Sequence, residues 1–63
     1  MVNGIKIGEL RKACDLTQEE LAEKTMSTRS MISQIEAGIK QPSVPHLVLI
    51  AKILGVKLDE LVR

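Results

Sequence analysis

Residues 16–38 read LTQEELAEKTMSTRSMISQIEAG and predict two short helices, each with its own start signal. Thr17 is followed three positions later by a glutamate, which is the spacing of a capping box at a helix start. Thr28 is a second residue of the type that caps helix N-termini. The pattern predicts helices over about 17–25 and 28–37, joined by a tight turn.

Helical periodicity continues on both sides of this pair, and no alternating strand pattern of useful length appears. A helix is expected over about 4–14, a fourth between an N-cap at Ser43 and a stop at Gly55, and a short fifth over about 58–62. We therefore expect residues 1–63 to form one all-α domain of five helices. The residues expected in the core are Ile7, Leu10, Cys14, Leu21, Ala22, Thr25, Ile32, Ile35, Leu47, Ile50, Ala51, Leu54, Leu58 and Leu61.

The composition limits what such a domain can do. A chain of 63 residues buries only roughly 60% of its unfolded surface. It has no Trp, Tyr or Phe, so it has no aromatic platform on which single-stranded bases could stack. The net charge of +1 is not the strongly basic balance that indicates nucleic acid by itself. Any argument for DNA must therefore rest on where the charges lie.

Cysteine use and hydropathy indicate a cytoplasmic chain with no membrane partner. Cys14 is alone, which excludes an intramolecular disulfide and a cysteine-based zinc site. The N-terminus lacks the basic and apolar regions of a signal peptide. The longest apolar run, 47–51, is far too short to span a bilayer.

The sequence contains no residue pattern typical of a catalytic site or a metal site. His46 is the only histidine, so we expect no metal and place it at a surface or boundary position. The glutamates of the second helix are expected to form a solvated face with one cap. We expect no cofactor and no enzymatic activity.

The third helix carries the functional hypothesis. On a helical wheel Ile32 and Ile35 face the core, while Ser30 and Gln34 point outward together and Arg29 projects from the first turn. Arginine and glutamine are the side chains that make paired hydrogen bonds to guanine and adenine edges. A solvated polar face is the alternative interpretation. The preceding helix and tight turn favour a helix presented to the DNA major groove.

The same wheel places Glu36 on the inner side of the helix, where an unpaired carboxylate would be costly. Arg11, next to Leu10 on the first helix, is the expected partner. The alternative is that both side chains are solvated. If the pair forms, the remaining N–H groups of Arg11 could also reach a DNA phosphate.

Four segments together resemble the Cro/C1-type helix-turn-helix family, also called XRE-type regulators. They are LTQEELAEK, TRSMISQIEAG, KQPS and IAKILGVKLDEL, and the resemblance extends from about Ile7 to Val62. It implies a compact, lambda-repressor-like DNA-binding domain whose second and third helices form the motif. It also implies a sequence-specific transcriptional regulator of bacterial or phage type that binds double-stranded DNA.

The resemblance assigns roles to individual positions. It implies base reading by Arg29, Ser30 and Gln34, and an internal ion pair between Arg11 and Glu36. Met26 stands at a turn position where the family often has glycine, which predicts either a less left-handed turn or strain. The residues implied to contact or support phosphates are Arg11, Gln18, Thr28, Ser33, Lys40, Gln41 and Ser43.

Apolar residues outside the predicted core suggest self-association. Leu49, Ile53 and Val62 form a possible dimer patch, although scattered surface apolar residues are also common. Family members often dimerise through the C-terminal part and bind palindromic operators, so we expect a homodimer that acts as a repressor. The alternative is a protein-interaction module of the same fold, such as an antitoxin whose partner is a toxin or another regulator.

Overall fold

The computed structural model describes residues 1–62, which form four α-helices and a short terminal 3₁₀ helix. The elements are α1 (Gly4–Ala13), α2 (Gln18–Lys24), α3 (Arg29–Glu36), α4 (Val44–Leu54) and the 3₁₀ helix (Leu58–Leu61). The all-helical prediction is confirmed. The predicted fifth α-helix is wrong in type, because this last segment is a single 3₁₀ turn of four residues.

Side-chain caps begin the helices where the sequence predicts them. The Thr17 hydroxyl accepts from Glu20 N at 3.0 Å, and Thr17 N donates to Glu20 Oε1 at 2.9 Å. Hydrogen bonding of the Glu20 carboxylate to Thr17, chiefly to its backbone N–H, lowers the pKa of Glu20. Thr28 and Ser43 cap α3 and α4 in the same way, through Met31 N and His46 N.

The core lies between α1, α2, α3 and α4 and is closed by the 3₁₀ helix. Three expected core residues are not fully buried: Cys14 is exposed, Leu58 is 40% exposed and Leu10 is partly buried. Cys14 lies just beyond the last turn of α1, where it no longer shares the stripe that faces the core. The buried apolar residues are Ile7, Leu21, Ala22, Ile32, Ile35, Leu47, Ile50, Ala51, Leu54 and Leu61.

The two ends of the domain are joined to each other. Asn3 N donates to Leu61 O at 2.8 Å, and Val2 and Val62 form an antiparallel bridge. These contacts draw Leu61 completely into the core, while Leu58 at the start of the 3₁₀ helix stays partly in solvent. The Asn3 side chain also caps α1 by accepting from Lys6 N at 3.1 Å.

Two glycines allow α1 to approach α3 closely. A Cβ atom on Gly4 would overlap the Ile35 carbonyl oxygen and lie 2.8 Å from that of Glu36. A Cβ atom on Gly8 would lie 3.2 Å from Glu36 Oε1. The inner face of α1 is therefore built from Gly4, Ile7, Gly8 and Arg11. Of the core residues predicted for this helix, Ile7 is fully buried and Leu10 is partly buried against the core.

His46 links α4 to α2. Thr25 is buried, and its hydroxyl donates to Leu21 O at 2.8 Å. His46 Nε2 lies 3.3 Å from the same Thr25 oxygen. Because the hydroxyl hydrogen is already used, the imidazole supplies the donor, which assigns the proton to Nε2. Partial burial lowers the pKa of His46.

This lowered pKa predicts a loss of stability on mild acidification. Above the unfolded-state value of about 6.5 the imidazole is neutral in both states, whereas below it the unfolded chain binds the proton first. The free energy of unfolding should therefore fall as the pH drops below that value, and level off below the folded-state pKa. Urea denaturation between pH 7.5 and 5 measures this slope. In the variant His46→Gln the slope should be smaller, and an unchanged slope would contradict the assignment.

The turn between α2 and α3 is left-handed at Met26, with φ of 58° and a side chain that is 90% exposed. Of the two alternatives predicted for this position, the less left-handed turn is wrong. The residue adopts a conformation that costs a non-glycine side chain roughly 1–2 kcal/mol. It has no buried contact with which to offset that cost.

Met26→Gly should therefore stabilise the domain. Relief of the backbone strain outweighs the extra freedom of glycine in the unfolded chain, for a net gain of about 0.5–1 kcal/mol. Thermal denaturation should show a Tm higher by a few degrees, at about 4–8 °C per kcal/mol. Asp15→Gly is the matched control, because Asp15 has φ of 57° but belongs to a residue type that tolerates this region. A larger gain at Asp15 than at Met26 would contradict this explanation.

Candidate nucleic-acid interface

A buried ion pair fixes the inner side of α3. Arg11 Nε donates to Glu36 Oε2 at 2.7 Å and Arg11 Nη2 donates to Glu36 Oε1 at 3.2 Å. Arg11 Nη1 donates to Leu16 O at 2.7 Å. The two side chains are only 9% and 11% exposed. The pair that the helical wheel predicted is present, and it joins α1 and the α1–α2 connection to the end of α3.

Gln18 completes this network from the start of α2. Its Nε2 atom donates to Glu36 Oε1 at 3.1 Å, so Glu36 accepts three side-chain hydrogen bonds. Within residues 1–62, every buried side-chain nitrogen and oxygen has a partner. The network determines where α3 sits relative to α1 and α2. A phosphate contact from the enclosed Arg11 stays a prediction.

The opposite side of α3 is open to solvent. Arg29, Ser30 and Ser33 are exposed, Gln34 is half-buried, and Ala37 continues the exposed surface past the helix end. We define these five residues as the reading face. Ala37 was not among the predicted site residues, although its position on the wheel placed it on this side.

Five of the seven residues predicted to contact phosphates lie at helix starts or in the loop after α3: Gln18, Thr28, Lys40, Gln41 and Ser43. Lys40 is exposed, and its backbone N donates to Gln34 O at 3.2 Å. Gln41 Oε1 accepts from Val2 N at 2.8 Å, so part of its amide is used to hold the N-terminal segment. Thr28 and Ser43 use their hydroxyl oxygens as N-caps. Lys40 and Gln41 therefore lie in the loop after α3, and Thr28 and Ser43 at the starts of α3 and α4.

The predicted dimer patch is only partly exposed. Ile53 is 36% exposed and Val62 is 40% exposed. Leu49, which we expected to face the solvent, is half-buried. Val48, also 36% exposed, lies on the same outer side of α4. This side of α4 carries one charged residue, Lys52.

No group of three or more His, Cys, Asp or Glu side chains within residues 1–62 could hold a metal ion. No helix in the described part of the chain has the length and apolar character needed to cross a bilayer.

The family model described as "Helix-turn-helix" matches residues 7–61 of the chain. Among curated proteins, the chain is similar to the HTH-type transcriptional activator BcrR of Enterococcus faecalis, with 41% identity over 56 residues. That match covers 89% of this chain but only 28% of the activator.

Solved structures of transcription regulators have a fold similar to that of this chain. The chain is similar to the P22 c2 repressor, solved in complex with a synthetic operator, with a TM-score of 0.94 and 25% identity over 100% of this chain and 96% of that one. It is also similar to SinR in the SinR/SinI protein complex, with a TM-score of 0.86 and 31% identity over 95% of this chain and 58% of that one.

These solved structures share the helical fold described above. The predicted resemblance is confirmed, and the relatives are transcription regulators. The chain belongs to the Cro/C1-type helix-turn-helix family of DNA-binding transcriptional regulators.

Proposed function

We propose that this chain binds double-stranded DNA at specific sequences and represses transcription, with α3 inserted in the major groove. One observation carries the proposal: α3 is anchored from behind by Glu36, while four of the five residues of its reading face, all except the half-buried Gln34, are exposed. A rigidly held helix with an open polar face suits direct contact with base edges. Its small residues Ser30, Ser33 and Ala37 allow close approach to the groove floor.

Phosphate contacts are assigned to the surroundings of the reading face. Lys40 supplies the positive charge in the loop after α3, and the N-termini of α2 and α3 present backbone N–H groups. Gln18, Thr28, Gln41 and Ser43 can add polar contacts from the same region. These interactions set the position of the protein on the duplex and carry little sequence information.

We further propose a homodimer formed through Ile53, Val62 and the half-buried Leu49. A two-fold dimer presents two α3 helices to half-sites about one helical turn apart, which requires a palindromic operator. Burial of apolar surface on α4 would also add stability to a domain this small.

Selection of bound sequences from a random duplex pool, at a fixed salt concentration, tests the proposal. The expected result is a palindromic motif of two half-sites about one helical turn apart. Sedimentation should show a dimer at the concentrations used. A reporter placed behind the selected site should be silenced. No enrichment would overturn DNA recognition, a single unrepeated half-site would overturn the dimer, and increased reporter output would overturn repression.

Lys40→Ala should weaken binding to all DNA sequences by a similar factor. The lost contact is to the backbone, so the slope of log affinity against log salt should fall in magnitude by about 1. Titrations at several salt concentrations measure this slope. Lys57→Ala is the matched control, since Lys57 follows α4 at the opposite end from Ser43. If the two variants had the same slope of log affinity against log salt, Lys40 would not contact the DNA backbone.

A protein partner is the second candidate function. The chain is similar to SinR, whose structure was solved in a complex with the protein SinI. The exposed apolar residues on α4 would suit such a contact. If the main role is as an antitoxin, a short toxin gene should lie beside the gene of this chain. Complex formation with its product should then survive Arg29→Ala and Gln34→Ala.

A further inference from the structure

The reading face contains two long polar side chains without a polar partner in residues 1–62, the exposed Arg29 and the half-buried Gln34. No hydrogen bond or ion pair joins the side chain of Arg29 or Gln34 to another of residues 1–62. The other side chains of these two types near α3 are already engaged. Arg11 and Gln18 bind Glu36, and Gln41 binds Val2. Arg29 and Gln34 are therefore the groups that keep a full set of donors and acceptors for a ligand.

Their chemistry selects different bases. A free guanidinium can donate two parallel hydrogen bonds to O6 and N7 of guanine, and a free carboxamide can pair with N6 and N7 of adenine. Ser30 and Ser33, which also lie on this surface, each carry a single hydroxyl group and cannot make such a paired contact. Discrimination by paired hydrogen bonds should thus depend on Arg29 and Gln34.

The helix geometry sets the distance between the two contacts. Arg29 and Gln34 are five residues apart on α3, which gives a rise of about 7.5 Å and a rotation of about 140°. They therefore flank the reading face, one near the start of the helix and one near its end. Taking α3 to run along the duplex axis, with about 3.4 Å between successive base pairs, this rise corresponds to about two steps.

We infer that each half-site of the operator contains a G·C pair read by Arg29 and an A·T pair read by Gln34, about two base-pair steps apart. This inference rests on the proposed function, since it specifies the DNA that the same face would bind. It makes the two base preferences separable, because each depends on one side chain.

Selection from the random duplex pool, repeated with variants, tests the inference. The wild-type motif should contain both pairs at this spacing. Arg29→Ala should remove only the guanine preference and Gln34→Ala only the adenine preference, each by roughly 5- to 150-fold. Arg29→Lys should keep most of the affinity while weakening the guanine preference, because an ammonium lacks the fork of two parallel donors.

Lys57→Ala is the control, since Lys57 lies beyond the end of α4 and outside the residues assigned to DNA, and it should leave both preferences intact. Thermal denaturation should show that each variant is folded, as both target side chains lie outside the core. A palindromic motif whose preferences are unchanged by either variant would overturn the inference and leave the proposed function standing. A motif without this G·C and A·T pair would do the same. If the wild-type protein enriched no sequence, both would fail.

Discussion

Glu36→Ala is expected to unfold most of the protein. The substitution leaves the Arg11 guanidinium, only 9% exposed, without its partner and removes the acceptor used by Gln18. Breaking a buried ion pair on one side costs about 3–5 kcal/mol. A small domain of this kind has a total stability of about 3–5 kcal/mol, so little folded protein should remain at 25 °C. Urea denaturation followed by circular dichroism measures the loss.

Three further variants test whether the loss of stability comes from the unpaired buried charge of Arg11. Glu36→Gln should cost less than Glu36→Ala, because the amide oxygen still accepts from Arg11. Glu23→Ala, on the exposed side of α2, should change stability by no more than about 0.5 kcal/mol. Replacing both partners, with Arg11→Met and Glu36→Leu together, should recover much of the loss because no charge is left buried. Equal losses at Glu23 and Glu36 would contradict the burial of the pair.

Gly4→Ala is the second substitution with a large expected effect. The new methyl group would overlap the Ile35 carbonyl oxygen, and a backbone atom cannot rotate away as a side chain can. α1 would have to move off α3, which also separates Arg11 from Glu36. We expect a loss of about 3 kcal/mol or more, at the upper end of the usual cost of overpacking. Thermal and urea denaturation should both show it.

Gly8→Ala provides the control on the same face of α1. Its new methyl group would meet the Glu36 carboxylate at 3.2 Å, and that side chain can shift by a few tenths of an ångström. Alanine also favours the helix over glycine by about 1 kcal/mol, which offsets part of the crowding. The loss should therefore be much smaller than at Gly4. A loss at Gly8 equal to that at Gly4 would contradict the role of the carbonyl contact.

The sequence predicted the features that depend on near neighbours. Thr17, Thr28 and Ser43 cap helices because their hydroxyl groups reach N–H groups within the same turn. Gly38 and Gly55 close α3 and α4 with φ of 79° and 72°. The Arg11–Glu36 pair was also predictable, since a helical wheel places Glu36 inward and only a basic partner makes that position tolerable.

The features that depend on three-dimensional approach were missed. Nothing in the local pattern shows that Gly4 lies against the carbonyl groups at the end of α3, although two glycines four residues apart in one helix were a signal of close packing. The bond from Gln41 to Val2 and the contact between His46 and Thr25 each join distant segments. The exposure of Leu58 follows from a 3₁₀ turn that periodicity alone could not distinguish from an α-helix.

The pairing of Val2 with Val62 has a mechanical consequence. In an antiparallel pair, the chain enters through Val2 and leaves through Val62 at the same end of the bridge. Tension applied to both ends would therefore peel the contacts apart one after another, starting with the bridge and then the bond from Asn3 to Leu61. The 3₁₀ helix would detach before the ion pair behind α3 carried any load. Under stretching, the contacts between the two chain ends would break first, while α3 keeps its position in the domain.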